Sequence, residues 1–358
     1  MTKLYKVQSD KLYKVCLEIF KNEGICEDHA DMVCSALIEA ELRGTSSHGV
    51  IRVENYIKRL RAGGTKANTE CRIVHETPMS LVLDGDNGLG FVVATQASRL
   101  IRKKAEQSGM AFGVAKESNH FGATSRWAFE MSGGDMIGFA GSNVHNIIAA
   151  IGAKKPAIGN NPFAIVFPAD KHESICLDMA CSTVAWGKAI EYRHKNIPVP
   201  DGWFVDANGE NTSDPFQARY CTPFGAHKGF GIAVAVELLC SVLAGGAFGV
   251  ELGNQYDVLD KPNRLSHFFG AIKISAFRDL SAFKSDVDRF IDQLKSTEKK
   301  AGVDEIFYPG EPEARCKANN TEKIILLEES AVRELENYAR EVGVSPELIT
   351  CLKAGTSM

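Results

Sequence analysis

The sequence has no hydrophobic run approaching the roughly 20 apolar residues that a membrane-spanning helix requires. Its 41 lysines and arginines nearly balance 45 aspartates and glutamates, and the formal net charge is −4. This balance gives no electrostatic reason to expect nucleic acid or an anionic membrane surface as a partner. Residues 1–6 have no apolar core and no small-residue cleavage site, so we predict no secretory signal and a cytoplasmic location.

The ten cysteines form no Cys-x-x-Cys pair, which argues against a zinc ribbon or a dithiol redox site. We therefore expect ten reduced thiols, with Cys34 and Cys240, inside apolar runs, as small core residues. The nine histidines show no His-Glu-x-x-His spacing, and no metal site is predicted.

Glycine-rich phosphate-binding signatures are also missing, because neither Gly-x-Gly-x-x-Gly nor Gly-x-x-x-x-Gly-Lys-Ser/Thr occurs in the chain. The pairs Gly88/Gly90 and Gly229/Gly231 both lack the third glycine. A dinucleotide, if one binds, is therefore not held by the ordinary Rossmann turn, and spacing alone does not predict a nicotinamide cofactor.

The hydrophobic pattern predicts helices at both ends of the chain and an α/β or α+β layer that starts near residue 75. Ser9 and Asp10 are candidate caps of the first helix, and Gly24 ends it. Residues 151–226 are rich in Gly, Pro, Asn and Asp, which is typical of functional loops on a rigid scaffold. The predicted helices are 9–23, 28–43, 50–60, 91–104, 122–131, 229–243 (buried), 285–295 and 328–342, and the predicted strands are 79–84, 110–115 and 136–140.

A junction between two predicted helices carries Ser47, His48, Arg52 and Tyr56. The spacing i, i+4, i+8 of the last three predicts that they share one face of the second helix. Histidine titrates near neutral pH, and arginine grips a carboxylate with two parallel hydrogen bonds. We interpret this junction as a site for a small anionic substrate whose hydroxyl or carbonyl exchanges a proton. The alternative is a capping histidine beside a solvated arginine.

A second histidine, His120, follows a predicted strand and precedes a helix, where ligands gather in α/β layers. It is a candidate general acid or base, with helix capping as the alternative. Asn160 lies in an Asn-Asn-Pro turn and could bind a polar ligand. Asp178 could hold a ribose hydroxyl, orient a histidine or cap a helix, and Lys228 near a helix start could clamp phosphate.

Taken together and in order, these motifs resemble the malate/L-lactate dehydrogenase family, nicotinamide-dependent enzymes unrelated to the Rossmann lactate and malate dehydrogenases. The match covers about residues 5–325, and its details look closest to the ureidoglycolate dehydrogenase branch. The matching pieces are Ser46–Gly49 with Arg52, Asn119–Gly122, Asn160–Pro162, Leu177–Ala180, Trp186–Lys188, Ile197–Pro198, Gly202–Trp203, Asp206 with Gly209, Thr212 with Asp214–Pro215, Lys228–Gly229 and Pro309–Glu311.

The resemblance implies an α/β (α+β) fold and a homodimer. A non-Rossmann mixed sheet with helices, in residues 75–229, is expected to bind the cofactor. A mainly helical substrate and dimer domain is expected from both chain ends, residues 1–74 with 230–358. The family's usual Pro and paired Gly before the Asn-Pro motif are here residues 149–153, and the side chains after Asn143 are altered to Val144 and His145.

The resemblance also implies the reaction, which is hydride transfer between NAD or NADP (NAD favoured) and the α-carbon of a small 2-hydroxy or 2-oxo acid. Two alternatives stay open: reduction of a cyclic imino acid, and a non-catalytic ligand-binding protein. His48 and His120 are both candidates for the acid/base, and Ser47, Arg52 and Tyr56 for substrate binding. The residues implied to bind cofactor are Asn143, Asn160, Asp178, Met179, Ala180, Lys228, Tyr308, Pro309 and Gly310.

Overall fold

The computed structural model describes residues 3–353 and has a mixed α/β architecture, as the sequence predicted. Its helices are α1 (Ser9–Asn22), α2 (Glu27–Leu42), α3 (Val53–Ala62), α4 (Gly90–Ser108), α5 (Thr124–Ser132), α6 (Gly187–Lys195), α7 (His227–Glu237), α8 (Leu280–Lys295), α9 (Glu311–Asn319), α10 (Glu329–Glu341) and α11 (Pro346–Thr350). Its strands are β1 (Leu4–Gln8), β2 (Arg72–Glu76), β3 (Ser80–Asp84), β4 (Met110–Ser118), β5 (Met136–Ser142), β6 (Ile148–Ala149), β7 (Pro156–Ile158), β8 (Phe163–Phe167), β9 (Ile175–Met179), β10 (Phe204–Val205), β11 (Asn211–Thr212), β12 (Tyr220–Cys221), β13 (Leu265–Lys273) and β14 (Ile324–Glu328).

A seven-stranded sheet in the order β2-β3-β4-β13-β5-β8-β9 forms the centre of the molecule. Strands β3, β4, β5 and β9 run in one direction, and β2, β13 and β8 run against them. The segments that follow β4, β5 and β9 therefore leave the sheet at one edge. These segments carry His120, Asn143 and Asp178–Ala180, so the topology brings three separate sequence motifs to the same edge.

Helices cover both faces of this sheet. The apolar sides of α4 and α5 pack on one face, around the fully buried Phe91, Trp127 and Phe269. On the other face, the end of α7 and its π-helical extension Leu238–Val242 pack against β4 and β13 through Cys240 and Phe268. The sheet is thus the middle layer of three.

The two ends of the chain meet beside this core. Strands β1 and β14 pair antiparallel, and α1 packs against α2, α10 and α11. Helix α3 contacts α10, so the candidate substrate residues stand on this helical layer. A smaller five-stranded sheet, β11-β10-β12-β6-β7, is built from the Gly- and Pro-rich stretch and packs with α6 around Phe204.

Several elements differ from the sequence predictions. The third helix starts at Val53 rather than Val50, because Ser46–His48 and Val50–Arg52 form two short 3₁₀ turns. The predicted buried helix 229–243 is not buried throughout, since Leu238 and Leu243 are each more than half exposed. Strand β13, from the part of the chain expected to be mainly helical, lies at the centre of the large sheet. The domain boundaries themselves stay a prediction.

All ten cysteines are free thiols, and Cys34 and Cys240 are buried as predicted. None of the helices within residues 3–353 is both long enough and apolar enough to cross a membrane. Over the same residues, no cluster of three His, Cys, Asp or Glu side chains is arranged to hold a metal ion.

Candidate active site

The turn that carries Ser47, His48 and Arg52 is held by a buried carboxylate from α2. Glu41 Oε1 accepts a hydrogen bond from the Val50 backbone N–H at 2.8 Å. A side chain at position 49 would overlap with this carboxylate, so Gly49 is required for the close approach. Burial raises the pKa of Glu41. His48 and Arg52 thus lie on two 3₁₀ turns fixed by Glu41, and the prediction that they share a helix face with Tyr56 is wrong.

The predicted substrate and acid/base side chains nevertheless converge. We call Ser47, His48, Arg52, Tyr56 and His120 the catalytic cluster. The rings of His48 and His120 are stacked with centroids 5.7 Å apart. The Tyr56 hydroxyl lies 2.7 Å from His120 Nδ1, and Ser47 Oγ lies 3.1 Å from His48 Nδ1. Arg52 Nε donates to the Ser47 carbonyl at 2.6 Å. These contacts bring together two elements more than 60 residues apart in the chain.

Both histidines of the cluster are neutral at pH 7 in the free protein. Burial, followed by the nearby Arg52 charge, lowers the pKa of His48 to about 4. Burial first, and then Arg52 and the neighbouring histidines, hold the pKa of His120 well below its usual range. Because the two rings are in contact, a proton on one disfavours a proton on the other. The pair therefore carries at most one positive charge near neutrality.

Tyr56 orients the ring of His120. Burial raises the pKa of the Tyr56 phenol, which therefore keeps its proton. The Gly122 backbone N–H also points to His120 Nδ1, at 3.4 Å. With Nδ1 unprotonated, the phenol donates to it; with Nδ1 protonated, the phenol oxygen accepts. The same contact thus stabilises the neutral and the protonated ring, which a group that gains and loses a proton requires.

Arg59 is a buried cation beside this cluster that sequence reasoning missed. It is 2% exposed, and its guanidinium donates to the carbonyls of Gly64, Val258 and Lys261 at 2.8 Å each. A longer contact of 3.4 Å reaches the side-chain carbonyl of Asn119, next to His120. Arg59 therefore fixes the loop Asn254–Asn263 against α3. Arg59 lies three residues after Tyr56 on α3, and this helical spacing could have indicated that the two side chains are neighbours.

The loop Asn254–Asn263 brings Tyr256 to the catalytic cluster. Arg52 Nη1 donates to the Tyr256 hydroxyl, and the guanidinium carbon lies 5.8 Å from the centre of the ring. The His145 ring meets Tyr256 edge-on, with centroids 6.1 Å apart. Nothing in the local sequence around Tyr256 marked it, because it stands 204 residues from Arg52 in the chain.

A buried histidine links the strands beneath the site. His267 on β13 lies between Ser118 Oγ, 2.8 Å from Nε2, and Ser142 Oγ, 2.9 Å from Nδ1. Each serine hydroxyl also faces a backbone carbonyl, Ser142 that of Asn143 at 2.7 Å and Ser118 that of Asn119 at 3.4 Å. The shorter contact at Ser142 favours the tautomer in which Nδ1–H donates to Ser142 and Nε2 accepts from Ser118. Burial lowers the pKa of His267 to about 3, so the ring stays neutral.

We call Asp178–Ala180, Lys228 and Tyr308–Gly310 the cofactor region, after the role that the sequence predicts for them. The turn containing Pro309 and Gly310 packs on β9, where the Pro309 carbonyl accepts from the Cys176 N–H at 2.9 Å. Gly310 has a φ of 86°. The Asp178 carboxylate accepts from the Ser125 N–H at 2.9 Å, at the start of α5 and five residues from His120.

Asn143, Asn160 and Lys228, which were also predicted to bind cofactor, differ in how far they are buried. The Asn143 side chain is fully buried and bonded to Glu237 and the Ala247 carbonyl, both at 3.3 Å, and it accepts from the Ser266 N–H. Its amide is therefore engaged by protein. Asn160 accepts from the Cys181 N–H through its backbone. Lys228 is exposed in the first turn of the 11-residue helix α7.

A cleft of about 470 Å³ opens beside the start of α7, between the loop after β6 and the ends of the small sheet. Its walls are small residues, including Ala150, Gly152, Thr183, Thr222 and Ala226. None of the predicted site residues lines it, although Thr183 follows Asp178 in the chain and Ala226 precedes Lys228 by two residues.

Comparison with known proteins gives consistent matches over nearly the whole chain. The family model described as malate/L-lactate dehydrogenase matches residues 7–336. The L-sulfolactate dehydrogenase of Methanocaldococcus jannaschii is 33% identical over 96% of this chain and 98% of its own length. Its structure superposes with a TM-score of 0.89, covering 96% of this chain and 98% of that one at 32% identity.

Two further relatives have other names. The malate dehydrogenase of Pyrococcus horikoshii is 31% identical over 95% of this chain and 96% of its own length. The ureidoglycolate dehydrogenase (NAD(+)) of Escherichia coli K12 is 30% identical, covering 86% and 88%. These identities are too similar to favour one substrate over another.

Proposed function

This chain belongs to the malate/L-lactate dehydrogenase family, and we propose that it transfers a hydride between a nicotinamide cofactor and the α-carbon of a small 2-hydroxy or 2-oxo acid. The observation that carries the proposal is Arg52. No Asp or Glu within residues 3–353 pairs with it, and it stands beside two neutral stacked histidines. A guanidinium without an acidic partner, next to two histidines that can transfer a proton, can bind an acid whose carboxylate is adjacent to its reacting hydroxyl.

Arg52 is proposed to bind the substrate carboxylate. Its Nε and one Nη1 hydrogen are used by Ser47 and Tyr256, which fix the plane of the guanidinium. The remaining N–H groups, including both on Nη2, are free for the carboxylate. Holding the acid in one orientation presents its α-carbon to a fixed position, which is a large part of what such an enzyme contributes.

His120 is proposed to take the hydroxyl proton during oxidation and to return it during reduction. Tyr56 supports both protonation states of the ring, while His48, stacked on it, limits the pair to one charge. The negative charge of a bound carboxylate offsets the effect of Arg52 and favours the protonated histidine. His48 is the alternative acid/base.

The cofactor is proposed to be NAD or NADP, with NAD favoured because one relative carries NAD(+) in its name. It supplies or accepts the hydride. Asp178, Met179 and Ala180 at the end of β9, the turn from Tyr308 to Gly310, Asn160 and Lys228 would hold it. The fit is supported by the turn at Pro309, which packs on β9 next to Asp178, and by the exposed Lys228 in the first turn of α7, two residues from Ala226 in the wall of the cleft. The side chain of Asn143 is bonded to Glu237, Ala247 and Ser266 and its backbone N–H donates to Ser266, so we propose that this residue positions the segment after β5 and does not contact the cofactor.

A homodimer and a cytoplasmic location are further parts of this proposal. The exposed apolar side chains Ile232, Leu238, Leu239, Val242 and Leu243 on α7 and its extension support an association through this face. Size-exclusion chromatography with light scattering tests the dimer.

The decisive assay follows absorbance at 340 nm with NADH and NADPH in parallel over a panel of 2-oxo acids, and with ureidoglycolate and each oxidised cofactor in the opposite direction. We expect turnover of at least one acid. Turnover of a preformed cyclic imine alone would transfer the assignment to an imino-acid reductase. Cofactor binding without any turnover would support a ligand-binding protein.

The variant Arg52→Ala tests whether Arg52 binds the substrate carboxylate. Losing a charged hydrogen-bonding partner for the carboxylate should raise KM steeply and lower kcat, with kcat/KM falling about 10³-fold. Arg61→Ala, at the far end of α3 and paired with Glu23 and Glu341, is the matched control. Unchanged kinetics in Arg52→Ala would refute the assignment.

A further inference from the structure

Tyr256 and His145 form a second polar pair beside the catalytic cluster. Neither side chain takes part in the proton or hydride transfer proposed above. Tyr256 contacts Arg52 through its hydroxyl, and His145 contacts the ring of Tyr256. Through these two contacts Tyr256 lies against the guanidinium of Arg52, and His145 lies on the other side of the Tyr256 ring. A substrate held by its carboxylate at Arg52 therefore has its α-carbon substituent close to this pair.

The loop that carries Tyr256 is fixed before any ligand binds. Its Tyr256 N–H donates to the Asn254 side chain at 2.9 Å, and the Asn254 amide donates to Asp257 at 2.7 Å. The Arg59 guanidinium holds the carbonyls of Val258 and Lys261. This pre-organisation suits a residue that contacts a substrate, since little further ordering is needed on binding.

Both side chains have unused hydrogen-bonding groups. Within residues 3–353 no hydrogen bond joins the His145 ring to another residue, and burial lowers its pKa, so the ring offers one donor and one acceptor. The Tyr256 hydroxyl accepts from Arg52 and still has its own proton to donate, and the residue is 48% exposed. The pair can therefore bind a group that both donates and accepts.

The charges around the pair disfavour a second anion. For His48 and for Tyr56, Arg52 is the one cation that shifts the pKa, and the substrate carboxylate would neutralise it. Near His145, the charge that acts on the ring is the carboxylate of Asp257. Arg59 directs Nη1 and Nη2 at protein carbonyls, and its charge is not among those that shift the pKa of His48, Tyr56 or His145. A second carboxylate or a sulfonate would thus meet neutral groups and an acidic side chain.

We propose that His145 and Tyr256 are the specificity-determining residues of this site and that they select a 2-hydroxy or 2-oxo monocarboxylate with a neutral, hydrogen-bonding substituent, such as a hydroxymethyl or amide-type group. This inference rests on the proposed function. It assigns a role to His145, which departs from the family pattern, and to Tyr256, which no sequence motif marked. It separates monoanionic polar substrates from dicarboxylates and from acids with an apolar side chain.

The test compares kcat/KM for reduction of pyruvate, hydroxypyruvate and oxaloacetate, which differ in a methyl, hydroxymethyl or carboxylate substituent. Hydroxypyruvate should exceed each of the others by about 10-fold or more, as one hydrogen bond or one unpaired charge would give. His145→Phe and Tyr256→Phe keep the rings but remove the polar atoms. Each should lower the ratio of hydroxypyruvate to pyruvate by about 10-fold.

His75→Phe, on the exposed strand β2, and Tyr13→Phe, whose hydroxyl donates to Asp31, are matched controls that should leave the ratio unchanged. A wild-type preference for oxaloacetate or pyruvate, or a ratio that neither variant alters, would overturn the specificity inference while the dehydrogenase assignment stands. Failure to reduce any 2-oxo acid with either cofactor would overturn both.

Discussion

The catalytic cluster and the cofactor region differ in how completely the chain itself builds them. In the catalytic cluster, each side chain touches another member, and two buried charged residues, Glu41 and Arg59, hold the segments that carry them. In the cofactor region, the turn at Pro309 is bound to β9, but Lys228 is exposed and lies on a separate helix. One region is organised by contacts within the chain, and the other would present separate contacts to the proposed cofactor.

This difference agrees with the chemistry each region has to support. Proton transfer and orientation of a small acid depend on geometry at the scale of a hydrogen bond, so the groups must be placed in advance. A dinucleotide gains affinity from many contacts spread along its length, and no single one has to be positioned as strictly. Substitutions should therefore have large effects on turnover in the first region and smaller effects on affinity in the second.

The largest expected effect concerns the two stacked histidines. His120→Ala should lower kcat by about 10²–10⁴-fold, because it removes the proposed acid/base, whereas His48→Ala should cost less. Tyr56→Phe should shift the pH dependence of kcat/KM without abolishing turnover, since it removes the partner of Nδ1. Steady-state kinetics over pH 5–9 provide the measurement. A larger loss in His48→Ala would exchange the roles of the two rings.

Arg59→Met should disturb the catalytic cluster indirectly, through the loop Asn254–Asn263. It leaves three carbonyls without their donor, at about 1–3 kcal/mol each, and releases the loop that carries Tyr256. We expect a lower free energy of unfolding, by about 3 kcal/mol or more, together with a raised KM for the acid. Urea unfolding and kinetics on the folded fraction measure both. Arg340→Met on α10 is the control, and equal effects in the two variants would contradict the positioning role.

Local patterns predicted much of the helical layer and of the catalytic cluster. Apolar periodicity located α1, α2, α4, α5, α8 and α10 to within a few residues, because each buries one face against the core. His120 was recognised by its position after a strand. His48 lies against His120 and Arg52 lies against Ser47, although the helix that was to align them begins only at Val53.

Long-range contacts were the part that the sequence did not predict. Strand β13 inserts between β4 and β5 from more than 120 residues away, and no local signal indicates where a strand will pair. The same crossover delivers the loop that carries Tyr256. Asn143 was predicted to bind cofactor, yet its side chain contacts Glu237, a carboxylate at the end of α7 that no sequence pattern pointed to.

Lys228→Met tests whether a substitution in the cofactor region affects cofactor affinity more than turnover. If Lys228 meets a phosphate near the start of α7, its loss should raise the Kd for NADH by about 10-fold and leave kcat at saturating cofactor nearly unchanged. Fluorescence titration of NADH at two salt concentrations measures this, because a lost charge contact also weakens the salt dependence. Lys195→Met, paired with Glu191 on α6, controls for net charge. An equal Kd in the two variants would remove Lys228 from the cofactor region.

The smallest effect concerns His267, which joins the strands beneath both regions. Its folded pKa of about 3 lies below the value near 6.5 expected in the unfolded chain. As pH falls from 6.5 towards 3, the unfolded state therefore binds a proton that the folded state does not. The free energy of unfolding should fall by about 1.4 kcal/mol per pH unit from this group. His267→Asn should remove that part of the slope between pH 6.0 and 5.0 in urea unfolding, and His75→Asn is the exposed control. An unchanged slope would mean that His267 takes up a proton in the folded protein.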